Sequence, residues 1–308
     1  MTEPLSQLGT IIAGSPLRDR ASELLALAQP AVHLRKRMTE AKKEGPRRWF
    51  GLRKGESTTV RQALPVAVGA SKLGGLPDVA AGFEWPHLKA KPLGFIGQLR
   101  CADLPAVGLD PNWPPDGLLH FFYDIDEQPW GGDDIAAETP FVRYTESTAD
   151  LRPARPPVAA PDTSLILPQF GLEPEVVPTL PDFQAPETAA LGFTEAEADA
   201  YIEIRTALGD SMHGGGPDHQ AGGHANNVQG DVRVEFEVYT SPDTDPRTKE
   251  DWIAAAGRGK DWRLLLQVDT DDDLGVMWGD VGMIYFGIRA ADLKHRRFNR
   301  TQVMMQCS

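Results

Sequence analysis

The chain has 308 residues, enough to bury a sizeable core as one large domain or two. Its 31 Lys and Arg against 44 Asp and Glu give a formal net charge of −13, which argues against nucleic acid as a partner. No run reaches the ~18 apolar residues of a membrane span, and no basic stretch followed by an apolar one opens the chain, so neither a transmembrane segment nor a signal peptide is expected and the cytoplasm is the economical location.

In chain order, Ser15-Pro16 is a helix start, with Leu17, Ala21, Leu24, Leu25 and Ala28 following at helical spacing. A second helix is expected over Ala31–Glu44, ended by Gly45-Pro46. The stretch 35–54 is strongly basic and includes Trp49 and Phe50; it is expected to lie on the acidic body of the protein or against an anionic surface. Residues 1–61 thus read as a helical, basic N-terminal extension, and 62–308 as a single domain.

Gln62–Gly69 reads as the first strand of the body, followed by the loop Ser71-Lys72-Leu73-Gly74-Gly75-Leu76-Pro77-Asp78. A glycine loop cradles phosphate when a helix follows it, but here proline follows, so a structural turn is expected. Phe95–Leu99 and Gly117–Phe122 read as a hairpin, and Thr139–Thr145 as a further strand. Between residues 150 and 190 the prolines are too dense for a regular helix or a central strand, so an extended surface connector is expected. Thr194-x-x-Glu197 is a capping box for a helix with Ala198, Tyr201, Ile202, Arg205 and Leu208 on one face and Gly209 as its stop. Asp231–Tyr239 alternates apolar and polar residues, the pattern of a half-buried strand. Asp245-Pro246 caps a short helix carrying Trp252 and Ile253. The runs Trp262–Val268 and Val281–Ile288 form a hairpin around which the chain is organised, joined through Asp269, Asp271, Asp272 and Asp273. A basic helix near Leu293–Arg297 and a strand over Thr301–Cys307 end the chain.

Phe95-Ile96-Gly97-Gln98-Leu99 resembles Leu264-Leu265-Leu266-Gln267-Val268, and the strand after Gly117 resembles the one after Gly282. Upstream, Gly-Gly-x-Pro-Asp occurs at 74–78 and again at 214–218. The order points to two diverged halves, 62–149 and 191–308, joined by the connector 150–190. The fold class expected is α+β, mainly antiparallel β, with peripheral helices.

The chemistry is less legible. No catalytic residue and no cofactor is assigned. Ser211 follows a helix rather than a strand and lacks a Gly-x-Ser-x-Gly frame, which speaks against a nucleophile. Asp269, Asp271 and Asp273 have the opening spacing of a calcium loop, but Leu274 stands where such a loop needs glycine, so a solvated acidic tip is expected. The glycine-rich stretch 212–231 holds His213, His219, His224 and Asp231, the donor types of a metal centre without helical metal spacing. If the halves pack together, His213, Gln229, Asp231, Trp278, Asp280, Gln98 and Gln267 are the candidates to line a ligand cleft between them. Cys101 and Cys307, without metal or disulfide spacing, are expected as buried thiols in a reducing compartment.

The motifs Ser71-Lys72-Leu73-Gly74-Gly75-x-Pro77, Trp85-Pro86, Gln98, Gly117-Leu118-Leu119-x-Phe121, His213, Gln229-Gly230-Asp231, Trp262-x-Leu264-Leu265-x-Gln267, Trp278-Gly279-Asp280-x-Gly282 and Gln306-Cys307-Ser308 resemble the YwqG-like family of uncharacterised bacterial proteins. The resemblance covers about residues 62–308 and implies a β roll. It brings no established activity or catalytic residue, and a placement of relatives near toxin systems implies an immunity-type binding role. His219 and His224 depart from the family pattern, so no metal role follows from it. The function expected is a non-enzymatic binding protein for a protein or small ligand; the alternative is a metal-assisted hydrolase using His213, His219, His224 and Asp231.

Overall fold

A computed structural model describes residues 3–43, 58–132, 139–157, 166–240 and 248–308. The N-terminal part begins with helices α1 (Glu3–Ala13) and α2 (Ala21–Leu27) and the strands β1 (Gln29–Lys36), β2 (Met38–Lys43) and β3 (Thr58–Ala63). The first half of the body holds β4 (Lys72–Leu73), β5 (Asp78–Val79), β6 (His87–Leu88), β7 (Lys91–Pro92), β8 (Gly94–Arg100), β9 (Leu118–Tyr123) and β10 (Val142–Thr145). Then come β11 (Arg152–Pro153), β12 (Phe170–Thr179), α3 (Pro186–Ala189), α4 (Glu195–His213) and β13 (Gln220–Ala221). The chain ends with α5 (Val232–Thr240), α6 (Lys249–Gly259), β14 (Trp262–Asp269), β15 (Met283–Arg289), α7 (Ala290–Lys294) and β16 (Gln302–Gln306).

Ten strands form one curled antiparallel sheet in the order β10-β9-β8-β4-β12-β1-β13-β14-β15-β16, so the α+β, mainly antiparallel class is observed. Both expected hairpins form: β8 with β9, and β14 with β15. The second is not central, because β16 alone lies beyond it at the sheet edge.

The sheet reads almost the same from both ends. Lys72 of β4 pairs with Gln98, and Gln220 of β13 pairs with Gln267. Gln98 faces His120 on β9, and Gln267 faces Tyr285 on β15, with the register slipping between Phe95 and Gly97 in one ladder and between Leu264 and Leu266 in the other. The inner faces of the two hairpins meet across the core: Phe121 packs edge-on against Phe286 at 5.2 Å, and Tyr123 against Trp278 at 5.7 Å. Where these inner faces meet, the two halves share one packed core.

Several expectations need correction. Residues 29–36 form β1 rather than the start of a helix, and Ala31, Val32, His33 and Leu34 are all buried, because neighbours on both sides and on both faces cover a central strand. The segment before residue 62 therefore contributes a middle strand to the body instead of standing outside it as a helical extension. In the proline-rich stretch, β12 pairs with the whole of β1 from Leu172 to Thr179, with Pro174 opposite Leu34 and Pro178 opposite Pro30. On its other side β12 pairs β4 only at Phe170 and Gly171, so the prolines lie beyond that ladder and interrupt no bond there. The expected strand Gln62–Gly69 is limited to the end of β3.

The segment 232–240 is helix, not strand. Val232, Phe236 and Glu237 are its buried residues, at helical spacing, and Gly287 of β15 leaves room for the Phe236 ring. Helix α4 carries the expected capping box at Thr194 and Glu197 but runs through Gly209 to His213, stopping at Gly214 in the left-handed conformation. The acidic tip is not simply solvated: Asp271 is buried and bound by Lys36. Trp49, Phe50 and the Asp245-Pro246 cap lie outside the described residues. Of the basic stretch, Arg35 pairs with Glu175, and Lys36 with Asp271 and Asp273, so these cations do rest on acidic groups of the body. No described helix is long and apolar enough to cross a membrane.

Candidate functional site

The glutamines at the ends of the pairings serve the backbone. In the first half Gln98 Oε1 accepts from Asp78 N at 2.9 Å, its Nε2 donates to Ala70 O at 2.8 Å, and His120 Nε2 lies 2.8 Å from Asp78 O. In the second half Gln267 Oε1 accepts from Asn226 N at 3.0 Å, its Nε2 donates to Asp218 O at 3.1 Å, and Tyr285 OH donates to Asn226 O at 2.8 Å. Both glutamines are fully buried, and each holds the glycine-containing turn that follows β4 or β13 onto the sheet. Gly74 and Gly75 after β4, and Gly222 and Gly223 after β13, all have positive φ. The matching glycine pair is thus 222–223, next to His224, and not the 214–215 pair of the sequence comparison.

The remaining residues proposed from sequence are dispersed. Trp278 is fully buried, with Nε1 donating to Asp269 O. Asp280 is exposed, and its carbonyl accepts from Ser308. Gln229 is exposed and joined through its backbone to Gln306. Asp231 is bound by Arg233, which also grips Glu187 with two hydrogen bonds of 3.0 Å. Ser211 is in α4 with its hydroxyl on Leu208 O. None of these residues lines the cleft described next.

The histidines of the 212–231 stretch take three separate roles. His219 is buried between Asp271 Oδ2, 3.0 Å from Nε2, and Asp269 N, which donates to Nδ1 at 3.3 Å; this fixes Nε2 as the protonated nitrogen. Burial alone would raise the Asp271 carboxyl, but the hydrogen bonds from His219 and Lys36 outweigh it and hold it at about 2. His224 Nε2 lies 3.1 Å from Leu27 O, and burial pushes its imidazole down to about 4. His213, His219, His224 and Asp231 are therefore engaged by different neighbours and do not converge on one point.

His213 instead converges with two residues from other elements. The αL stop at Gly214 ends α4 so that His213 occupies its last turn, over β1. His213 Nδ1 lies 3.1 Å from His33 Nε2, with ring centroids 4.4 Å apart and edge-on. Its Nε2 lies 3.3 Å from Asp218 Oδ1, in the loop leading to β13. Asp218 N donates to Asp269 Oδ2 at 2.9 Å. His33 is 2% exposed and Asp218 5%, so the pair is withdrawn from bulk solvent. Burial, reinforced by His213, pushes His33 down to about 3. Burial raises the Asp218 carboxyl against the pull of His213.

His213, Asp218 and Asp269 line a cleft of about 360 Å³, with His33 outside its lining. Its walls are Ile202, Thr206, Gly209 and Met212 of α4, and Asp218, Gln220, Asn226 and Asp269 face them from the sheet side. Arg205 at the rim is tied to Asp182 at 3.3 Å. A second cleft of about 390 Å³ lies between the 108–111 loop and α5, but its Arg233 and Arg263 are already paired with acidic residues. Sequence reasoning missed His33 because the run 31–34 reads as helix. Its only signal was a lone histidine inside an apolar run.

Residues 71–307 match the model of a family described as a domain of unknown function (DUF1963). A comparison with curated proteins gave no match.

Proposed function

The chain belongs to that family, whose description names no activity, and we propose a function from the geometry: binding of a small polar ligand in the cleft under α4. One observation carries this reading. The cleft is lined by an acid–base pair, the half-buried His213 and the buried Asp218, in which Asp218 Oδ1 has His213 Nε2 at 3.3 Å but no well-aligned hydrogen bond. A buried carboxylate with an imperfectly aligned partner has acceptor capacity left, which a ligand donor would use. Concave sites with few convergent polar groups are the usual form of small-ligand sites.

A binding role needs no nucleophile; the Ser211 hydroxyl donates to Leu208 O, and burial pushes the Cys101 thiol up to about 12. The protein-partner form of the role, including an immunity-type one, has the net charge of −13 in its favour, which would complement a basic surface. The free, buried thiols of Cys101 and Cys307 support a reducing, cytoplasmic setting. The matched networks around Gln98 and Gln267 support descent from a duplicated half, in keeping with the YwqG-like resemblance. The hydrolase alternative has less support, since His219, His224 and Asp231 are already engaged by the protein.

A thermal-shift and NMR screen of the full chain against small polar metabolites tests the reading. Gly209→Trp is the blocking variant: a Cβ there meets only the His213 ring edge at 3.9 Å, so the indole projects into the cleft without breaking α4. Binding of a metabolite that the tryptophan abolishes is the expected result. Hits indifferent to the variant, or a chelator-sensitive hydrolysis lost on His219→Ala, would replace this reading.

A further inference from the structure

We propose that His33, His213 and Asp218 form a binding site for a divalent first-row transition ion. Three segments distant in sequence bring these side chains together: β1, the last turn of α4 and the loop before β13. Each offers one ligand atom, and the three atoms lie within 4.8 Å of one another. Two imidazoles and one carboxylate are the donor set such ions prefer over calcium or magnesium, which take oxygen ligands. Among the described residues this is the one such group of three or more donors.

The other buried histidines are bound by acidic or backbone groups rather than by one another, although His120, like His33, leaves Nδ1 unpartnered. His219 uses both nitrogens, and His224 and His120 each rest on a backbone carbonyl. At His33 and His213 two ring nitrogens instead face each other at 3.1 Å. Asp218 Oδ1 is buried with His213 Nε2 3.3 Å away and no well-aligned hydrogen bond. A cation between the imidazoles and the carboxylate satisfies Asp218, and the His213 ring, which now meets His33 through Nδ1 and Asp218 through Nε2, turns to give the ion one nitrogen at about 2.0–2.1 Å. Asp269, holding Asp218 N, supplies the outer-shell anchoring that metal-site carboxylates and their loops use.

The arrangement leaves coordination positions open. His33 lies beneath the site on the sheet, while His213 and Asp218 line the cleft, so the free positions face the cleft under α4. Three protein ligands with an open side are the pattern of an ion that also meets a small molecule, whereas a purely structural site is closed by four. This inference shares the cleft with the ligand reading but not its test, since metal content is read with no organic ligand present.

The experiment uses the full chain, loaded with zinc or cobalt and then exchanged into metal-free buffer. Elemental analysis gives metal per chain, and the visible absorption of the cobalt form reports the donors. One ion per chain is expected, with a cobalt spectrum of nitrogen and oxygen ligation. His213→Ala and Asp218→Asn should each bring the content to background, with circular dichroism showing the fold intact. His87→Ala and His295→Ala, at exposed histidines, should keep one ion. His33→Ala opens a hole in a central strand, so the conclusion does not depend on it. Background metal in the unmodified chain, or full retention in both His213→Ala and Asp218→Asn, overturns the assignment. A chain that takes no ion yet binds a metabolite sensitive to Gly209→Trp overturns this inference alone.

Discussion

Lys72 and Asp78 form a buried ion pair of 2.9 Å, with side chains 4% and 1% exposed, at the place where the second half has Gln220 and Asn226. The turn is thus tied by an ion pair in one half, whereas in the other Gln220 Nε2 donates to Gly222 O and His224 O. Asp78 Oδ2 also accepts from Gly69 N and Gln98 Nε2, whereas Oδ1 has no partner. Removing one member of a buried pair leaves an uncompensated charge and costs about 3–5 kcal/mol, while replacing both with neutral partners is often nearly neutral. Lys72→Gln alone is therefore expected to lose stability on that scale in urea unfolding. The double variant Lys72→Gln with Asp78→Asn, which copies the second half, should recover most of the loss. Purely additive single effects would show that the two turns are not equivalent. The glutamines were visible in the sequence as matched positions in apolar strands, but their partners were not. Those partners are backbone groups supplied by a turn some twenty to forty residues away, and no side-chain pattern announces them.

Among the elements, α5 shows most clearly how packing overrides local preference. Its alternating Val232, Val234, Phe236 and Val238 have the composition of a strand, yet β14 already has β13 and β15 on its two edges. The segment can bury apolar surface only by lying on the sheet face, and a helix with Val232 and Phe236 four apart does so. There Phe236 stacks on Trp262 at 5.1 Å. Glu237, buried beside them, takes Arg258, Arg289 and Trp262 Nε1 as partners. The docking needs Gly287, where an added Cβ would meet the Phe236 ring at 2.3 Å. Gly287→Ala is expected to cost about 1–3 kcal/mol through overpacking, read as a lowered melting temperature. It should be partly rescued by Phe236→Leu. An unchanged melting temperature would mean that α5 is not seated as described. Helix α4, by contrast, was legible at its start, because a capping box is local chemistry. Its end was misplaced at Gly209, since mid-helix glycine is tolerated when a better αL stop follows at Gly214.

For the molecule as a whole, β1 and β12 join the two outer groups of strands into one sheet. They pair from Gln29 with Thr179 to Lys36 with Leu172, and β1 also carries β13 through Val32 and His33. A fragment beginning at residue 62 lacks the strand that bridges the halves, along with Leu8, Ile12, Leu17 and Leu24, which pack against Tyr201, Ile204 and Leu208 of α4. Such a fragment is expected to show no cooperative thermal transition. A soluble 62–308 fragment with a sharp melt would restore the picture of a separable extension.

The sequence by itself determined the class of the fold, both hairpins, the glycine turn at 74–75 and the start of α4. Each of these rests on residues that are neighbours in the chain or repeat with a strand's period. Only the tertiary structure decided that β1 and β12 are central, that 232–240 is helical, and that His213 meets His33 and Asp218 rather than His219 and His224. Those outcomes depend on which surfaces remain free once the sheet has closed on its core, and that competition between distant segments leaves no local trace in the order of the residues.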